Sequence, residues 1–401
     1  MLAGKLSRLA GAYGKQRRKP APNGNADFRK IFPSMTTRER FVRVLIGEKV
    51  DRVPFIKVFG TTNAVLPSWE KENPGLSSCI DRLIGFEGAY RGWQTTPVNL
   101  SLSGLAAPVV LEENEAYTIR QEAHGAVVRQ EKTGDYHQRV LRYPVQNRKD
   151  WERIKAAYLS PEDPGRFPEN WPQLVAQYRQ RDYPLQLTHG GVYGFPRTLL
   201  GDENLCYAFY DDPGLVRDIL ETYTEMAIAV WSRMVKEVEF DLIECWEDMA
   251  SRNGSLVSPG TFREFLKPQY EKIAAFAKSH GIKIILVDSD GFIEELTGLM
   301  LESGVTALYP YEVGAGNDLD RVRQHYPEVG IIGGLEKNTM AQGQDAVEKE
   351  MEKAARHIQK GRYIPGPDHF PLSNISFEQY RYFMERLRQV VLTTTPPRCR
   401  E

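Results

Sequence analysis

The stretch IILVDSDGFIEEL, residues 284–296, decides how the chain folds. Ile284 to Val287 form an apolar run suited to a strand buried on both faces. Asp288, Ser289, Asp290 and Gly291 follow at once, and a helical pattern then begins. An apolar strand, a short acidic turn and a helix make half of a βαβ unit. Two carboxylates at the end of such a strand are costly unless a cation, an arginine or a basic ligand group offsets them.

Outward from this stretch the same pattern recurs. PLQLTHGG (184–191), FDLIECWED (240–248), ALYPYEV (307–313), GIIGGLEK (330–337) and YIPGPDHF (363–370) read as short apolar strands. Helices lie between them. SPGTFREFLKPQYEKIAAFAKSHG has Ser258 as N-cap and Pro259 at its first position. ISFEQYRYFMERLRQVVL is capped by Ser376 with Gln379, and TTRERFVRVLIGE opens on a Thr36/Glu39 capping box. Strands separated by helices imply parallel pairing. Strands near residues 55, 99, 187, 243, 286, 310, 333 and 366 are enough for a closed (β/α)8 TIM barrel. A doubly wound sheet is the alternative, but no GxGxxG or GxxxxGK[ST] follows any strand.

The expected organisation is a disordered basic tail over 1–34, one barrel domain over 35–392 and a loose end over 393–401. AYTIRQEAHGAVVRQEK alternates in period two around His124-Gly125, which predicts a β-hairpin insertion within 113–148. The formal net charge of -1 argues against bulk nucleic-acid binding. No apolar run approaches the ~18 residues a membrane span needs. Cys79, Cys206, Cys245 and Cys399 are scattered without a CxxC, the pattern of reduced cytoplasmic thiols.

A barrel of this kind works at the carboxyl ends of its strands. His189, Glu244, Glu247, Asp248, Asp288, Asp290, Tyr309, Glu312, Glu336, Lys337, Asp368 and His369 stand there. Asp288 and Asp290, two apart, are expected to face one cavity. Each has a plainer reading. Asp290 before Gly291 could cap the next helix, and His189 could be a structural residue. Arg197, Arg252 and Lys337 could bind a substrate carboxylate or phosphate, or merely form rim ion pairs. His124, His137, His280, His325 and His357 do not lie at strand ends and are set aside.

Several local patterns resemble the uroporphyrinogen-decarboxylase-like superfamily. TTRERFVRVLIGEKVDRVPF resembles its opening, GFPRTLLGDENLCYAFYDDPGLVRDIL its L-x-G segment followed by D-D-P, and SPGTFREFLKPQYEKI its S-P-x-x-F-x-x-F-x-x-P-x-Y-x-x-I. The resemblance covers about residues 35–392 and implies a (β/α)8 barrel with one of two chemistries. True uroporphyrinogen decarboxylases carry an arginine-rich signature like M-R-Q-A-G-R-Y, where this chain reads VFGTTNAVLPSW. The other branch moves methyl groups to or from a corrinoid, using zinc held by an H-x-C-G pair and a later cysteine. In this chain the pair falls on Asp288-Ser289-Asp290-Gly291, and the later cysteine falls near His369. Carboxylates and an imidazole in place of thiolates could hold zinc, but harder divalent metals become competitive, and no metal at all is an equal alternative.

The leading expectation is therefore a methyltransferase or demethylase acting on a small molecule. Its corrinoid (cobalamin-type) cofactor would sit on a separate partner protein, since no D-x-H-x-x-G appears here. Asp288, Asp290 and His369 would be metal ligands or acid–base groups, and Glu244 and Glu247 second acid–base candidates. His189, Arg197, Tyr309, Glu312 and Lys337 would bind substrate. Cofactor-free decarboxylation of a tetrapyrrole is the rival, and a non-catalytic corrinoid- or partner-binding barrel the third reading. A homodimer is left open.

Overall fold

The computed structural model describes residues 35–59, 65–88, 92–132 and 138–397, and the span from Thr36 onward forms one compact unit. The basic segment 1–34, His137 and Cys399 lie outside the described residues, as does part of VFGTTNAVLPSW. Cys79, Cys206 and Cys245 carry no disulfide. Among the described residues no helix is long and apolar enough to cross a membrane.

The fold is mixed α/β around a parallel sheet. Its strands are β5 (Gln186–His189), β6 (Leu242–Trp246), β9 (Ile284–Asp288), β10 (Ala307–Tyr309), β11 (Gly330–Leu335) and β12 (Tyr363–Pro367). Their order is β12-β11-β10-β9-β6-β5, every neighbouring pair parallel. The run Ile284–Asp288 is buried throughout, as a strand covered on both faces requires. Helices supply the cover. They include α1 (Thr37–Ile46), α2 (Arg148–Tyr158), α3 (Gly194–Leu200), α4 (Pro213–Met234), α5 (Lys267–Ser279), α6 (Glu294–Glu302), α7 (Leu319–His325), α8 (Gln344–Lys360) and α9 (Phe377–Thr393). The expected caps form: Thr36 with Glu39 and Ser376 with Gln379 make capping boxes, and Ser258 accepts from Thr261.

Two of the eight expected strands do not form. Residues 53–59 are extended and mostly buried but carry no ladder, and Pro54 cannot donate to one. Among the described residues the one isolated bridge beside β5 is Gln94 to Leu185, five residues short of the expected strand near 99. There the backbone is satisfied otherwise. Arg166 donates to the carbonyls of Asn99 (2.8 Å) and Ser101 (3.1 Å), and the Tyr223 hydroxyl donates to that of Leu100 (2.9 Å). Side chains thus take the bonds that a ladder would have used. The stretch 53–59 still packs toward both edges of the sheet. A Cβ on Gly366 of β12 would stand 2.4 Å from Val58, and one on Gly92, two residues before the bridge, would stand 2.4 Å from Ile56.

The insertion is larger than the hairpin expected within 113–148. It is an antiparallel four-stranded sheet of β1 (Val109–Glu113), β2 (Tyr117–Gln121), β3 (Val127–Glu131) and β4 (Gln138–Arg142). The expected hairpin is its central pair, with Tyr117 opposite Glu131. Every residue of β1 and β4 is exposed. With no buried face, neither strand needs the alternation that would have revealed it. A two-residue ribbon, β7 (Ala250–Ser251) and β8 (Gly254–Ser255), follows β6.

Candidate functional site

Parallel register sorts the strand-end residues by face. Trp246 pairs with Asp288 and Asp288 with Tyr309, so these three point to one side of the sheet. Thr188 pairs with Glu244, which shares that side through Trp246. His189 pairs with Cys245 on the opposite, helix-facing side. It is not a mouth residue, contrary to expectation. Its ring is fully buried between Tyr223 (4.7 Å) and Trp231 (5.8 Å) of α4, and neither ring nitrogen has a partner. Burial pushes its pKa down to about 3, so the ring is neutral.

Glu247 is also not an open-mouth acid. It is fully buried and accepts N–H bonds from Val192 (2.7 Å), Tyr193 (2.6 Å) and Gly194 (3.2 Å), and an O–H bond from Tyr270 (2.6 Å). Burial raises its pKa against these donors. The carboxylate ties the turn before α3 to the end of β6. That turn needs Gly191: its φ is 94°, and a Cβ there would lie 2.0 Å from the Trp246 carbonyl.

The turn after β9 is built differently. Gly291, with φ 84°, passes so close to the Ala250 carbonyl that a Cβ would stand 2.5 Å away. Its N–H donates to Glu312 (2.9 Å). Asp290 does not cap α6, whose first turn is tied instead by Ile293 N–H donating to Asn317. The Asp290 carboxylate instead meets His369 Nε2 at 3.4 Å, joining the end of β9 to the end of β12. Both side chains are open to solvent, at 41% and 31% exposure. The His369 ring stacks on Phe59 (5.2 Å) and meets Phe370 edge-on (5.1 Å).

Beside this pair lie two ionic clusters. Arg197 donates to Asp248 (2.9 Å) and stands 5.2 Å over the Trp246 ring. Burial raises the Asp248 pKa despite that arginine. Lys337 reaches Glu312 at 3.3 Å and Asp368 at 3.9 Å. Asp368 is fully buried and accepts from the N–H groups of Gly314 (2.9 Å) and Lys337 (3.0 Å). Burial still pushes it up to about 6. Tyr309 is buried and donates to the Val58 carbonyl (3.1 Å).

Of the expected residues, then, the strand register sets Asp288, Glu244 and Tyr309 on one face, and direct contacts join Asp290 to His369 and Glu312 to Lys337. Glu247 and His189 are tied into the protein body. Among the described residues no three His, Cys, Asp or Glu side chains stand close enough together to hold a metal ion. Trp246, 43% exposed, was missed, although its place two residues after Glu244 was a usable signal. Phe59, the last residue of the apolar stretch 53–59, carried the same kind of signal, whereas Asn317 had none. A cavity of about 630 Å³ opens at the other end of the strands, where Arg38 and Arg181 both engage Asp241. It contains none of the strand-end residues.

Residues 140–390 match the family model of uroporphyrinogen decarboxylase (URO-D). The chain belongs to the URO-D family. The match begins within β4, so α1 and most of the antiparallel sheet precede it. Among solved structures, a methyltransferase from Methanosarcina mazei is 17% identical, with a TM-score of 0.58 over 89% of this chain and 98% of that one. A putative vitamin-B12 independent methionine synthase from Listeria monocytogenes is 12% identical, with a TM-score of 0.30 over 54% of this chain and 69% of that one. No curated protein matches the chain. For this URO-D-family chain the methanosarcinal structure supports the shared fold.

Proposed function

We propose that this URO-D-family chain is a methyl-transfer enzyme whose methyl carrier is a corrinoid held by a separate protein. In this reading the sheet closes into a barrel through residues 53–59 and the strand-end residues share its mouth. One observation carries the choice over decarboxylation. Of the three cations expected to meet substrate carboxylates, Arg197 and Lys337 are already engaged by Asp248 and by Glu312 with Asp368, which leaves the exposed Arg252 in the turn between β7 and β8. A polycarboxylate would have to displace these partners. An uncharged or cationic methyl donor would not.

A corrinoid supplies a centre that carries the methyl group. The chain's own residues have a proton to manage, because a donor that loses its methyl as an electrophile keeps the bonding electron pair. Asp290 and His369 are placed to hold that proton between Oδ2 and Nε2. Asp288 lies one layer deeper, 7% exposed. The exposed Trp246 and the Phe59–His369–Phe370 ring cluster offer flat apolar surface against which a macrocycle could rest. A zinc site made of Asp288, Asp290 and His369 does not fit, since among the described residues no three His, Cys, Asp or Glu side chains converge and the set lacks thiolates.

The test incubates the full chain with cob(I)alamin and a panel of methylated ethers, amines and thioethers, following the corrinoid spectrum. Methylcobalamin should form with the wild type and fall at least 100-fold, roughly, in Asp290→Asn. Conversion of uroporphyrinogen to coproporphyrinogen, with no methylcobalamin from any donor, would replace this reading by decarboxylation.

A further inference from the structure

The methyl donor can be narrowed from a second cavity. About 330 Å³ opens at the carboxyl end of β5, beside Trp246. Thr95, Ser101, Thr188 and Thr198 bring hydroxyls to its wall, Asn99 an amide, and Phe195, Tyr223 and Trp246 rings. No Asp, Glu, Lys, Arg or His is among its described lining residues. Arg197 stands over the Trp246 ring with its charge already met by Asp248. A charged group entering this cavity would lose hydration and find no counter-charge.

The hydroxyls are not equivalent. Tyr223 donates to the Leu100 carbonyl and accepts from Gly190 N–H (2.8 Å). Thr198 donates to the Phe195 carbonyl (2.7 Å). Thr188 accepts from Gln186 Nε2 (3.1 Å) and lies 2.8 Å from the Thr95 hydroxyl. Thr95 also lies 3.3 Å from the Thr96 carbonyl, to which it can donate; when it instead gives its one proton to Thr188, the Thr188 proton is left for an acceptor in the cavity. Small-molecule pockets start at about 300 Å³, so this volume suits one substituted six-membered ring rather than a tetrapyrrole.

We propose that this cavity binds an uncharged aromatic ring bearing an oxygen that accepts a hydrogen bond from Thr188, the chemistry of a phenol or phenyl ether. That the ring is the methyl donor rests on the methyl-transfer reading; that it binds does not. Isothermal titration of the full chain with methoxybenzene, 4-methoxybenzoate and 4-methoxyphenyl-trimethylammonium tests it. Methoxybenzene should bind saturably, and both charged analogues at least about tenfold more weakly. Thr188→Val, which keeps the shape and removes the donor, should weaken methoxybenzene roughly five- to tenfold, and Trp246→Ala should also weaken it. Absence of saturable binding, equal binding of the charged analogues, or binding unmoved by both variants overturns the assignment. Neutral-ring binding with no methyl transfer to cobalamin keeps this subsite and sinks the methyl-transfer reading. Transfer from charged donors without neutral-ring binding does the reverse.

Discussion

The turns after β6 and β9 begin alike and end differently. Each follows an apolar parallel strand with two carboxylates close in sequence, Glu247 with Asp248 and Asp288 with Asp290. After β6, Glu247 is sealed under the backbone of 192–194 and the Tyr270 hydroxyl. After β9, Asp290 stays in solvent with one imidazole. A buried carboxylate with four donors is a fastener. A half-exposed carboxylate facing one imidazole is the pair to which the proposed function gives the proton. The neighbouring loop makes the difference: Gly191 lets backbone N–H groups approach Glu247, whereas the partner delivered to Asp290 is the side chain of His369.

If the contrast is right, the largest effect comes from the fastener. Glu247→Ala should leave the N–H groups of 192–194 and the Tyr270 hydroxyl without their acceptor and cost about 3–5 kcal/mol in urea unfolding. Loss below about 1 kcal/mol would erase the distinction. Next comes the acid limb of stability set by His189. Its folded pKa of about 3 lies below the ordinary value of 6.5, so neutral burial stabilises above about 6.5, and that contribution is lost as pH falls toward 3. Replacing this ring by Phe, between Tyr223 and Trp231, should flatten that loss, measured as unfolding free energy at pH 7 and pH 4.5. Asp368 has the opposite sign. With its folded pKa raised to about 6, its contribution is present below the ordinary 3.8 and is lost as pH rises through about 6. Asp368→Asn should remove roughly 3 kcal/mol of that slope. The smallest stability effect belongs to the proton pair: Asp290→Asn or His369→Gln should shift unfolding by under about 0.5 kcal/mol. A shift as large as that for Glu247 would make Asp290 a second fastener.

How much could be read in advance varied with burial. The six hydrogen-bonded strands were legible because each is a short apolar run set between helical stretches. Segments 53–59 and 97–102 misled because apolar content does not say where backbone bonds go, and Arg166 and Tyr223 captured the carbonyls of 99–101. The antiparallel sheet was half legible for the converse reason: β2 and β3 alternate, while β1 and β4 bury nothing.

For the candidate site, position was legible and orientation was not. That Asp288, Asp290, Glu312, Lys337 and His369 end strands follows from local sequence, because apolar runs, Gly turns and caps act over a few residues. That Asp290 meets His369, that Lys337 meets Glu312, and that Glu247 and His189 are locked inside depends on strand register and on loops many residues apart. Such contacts exist only once parallel strands have paired, since a shift of one residue sends a side chain to the other face of the sheet.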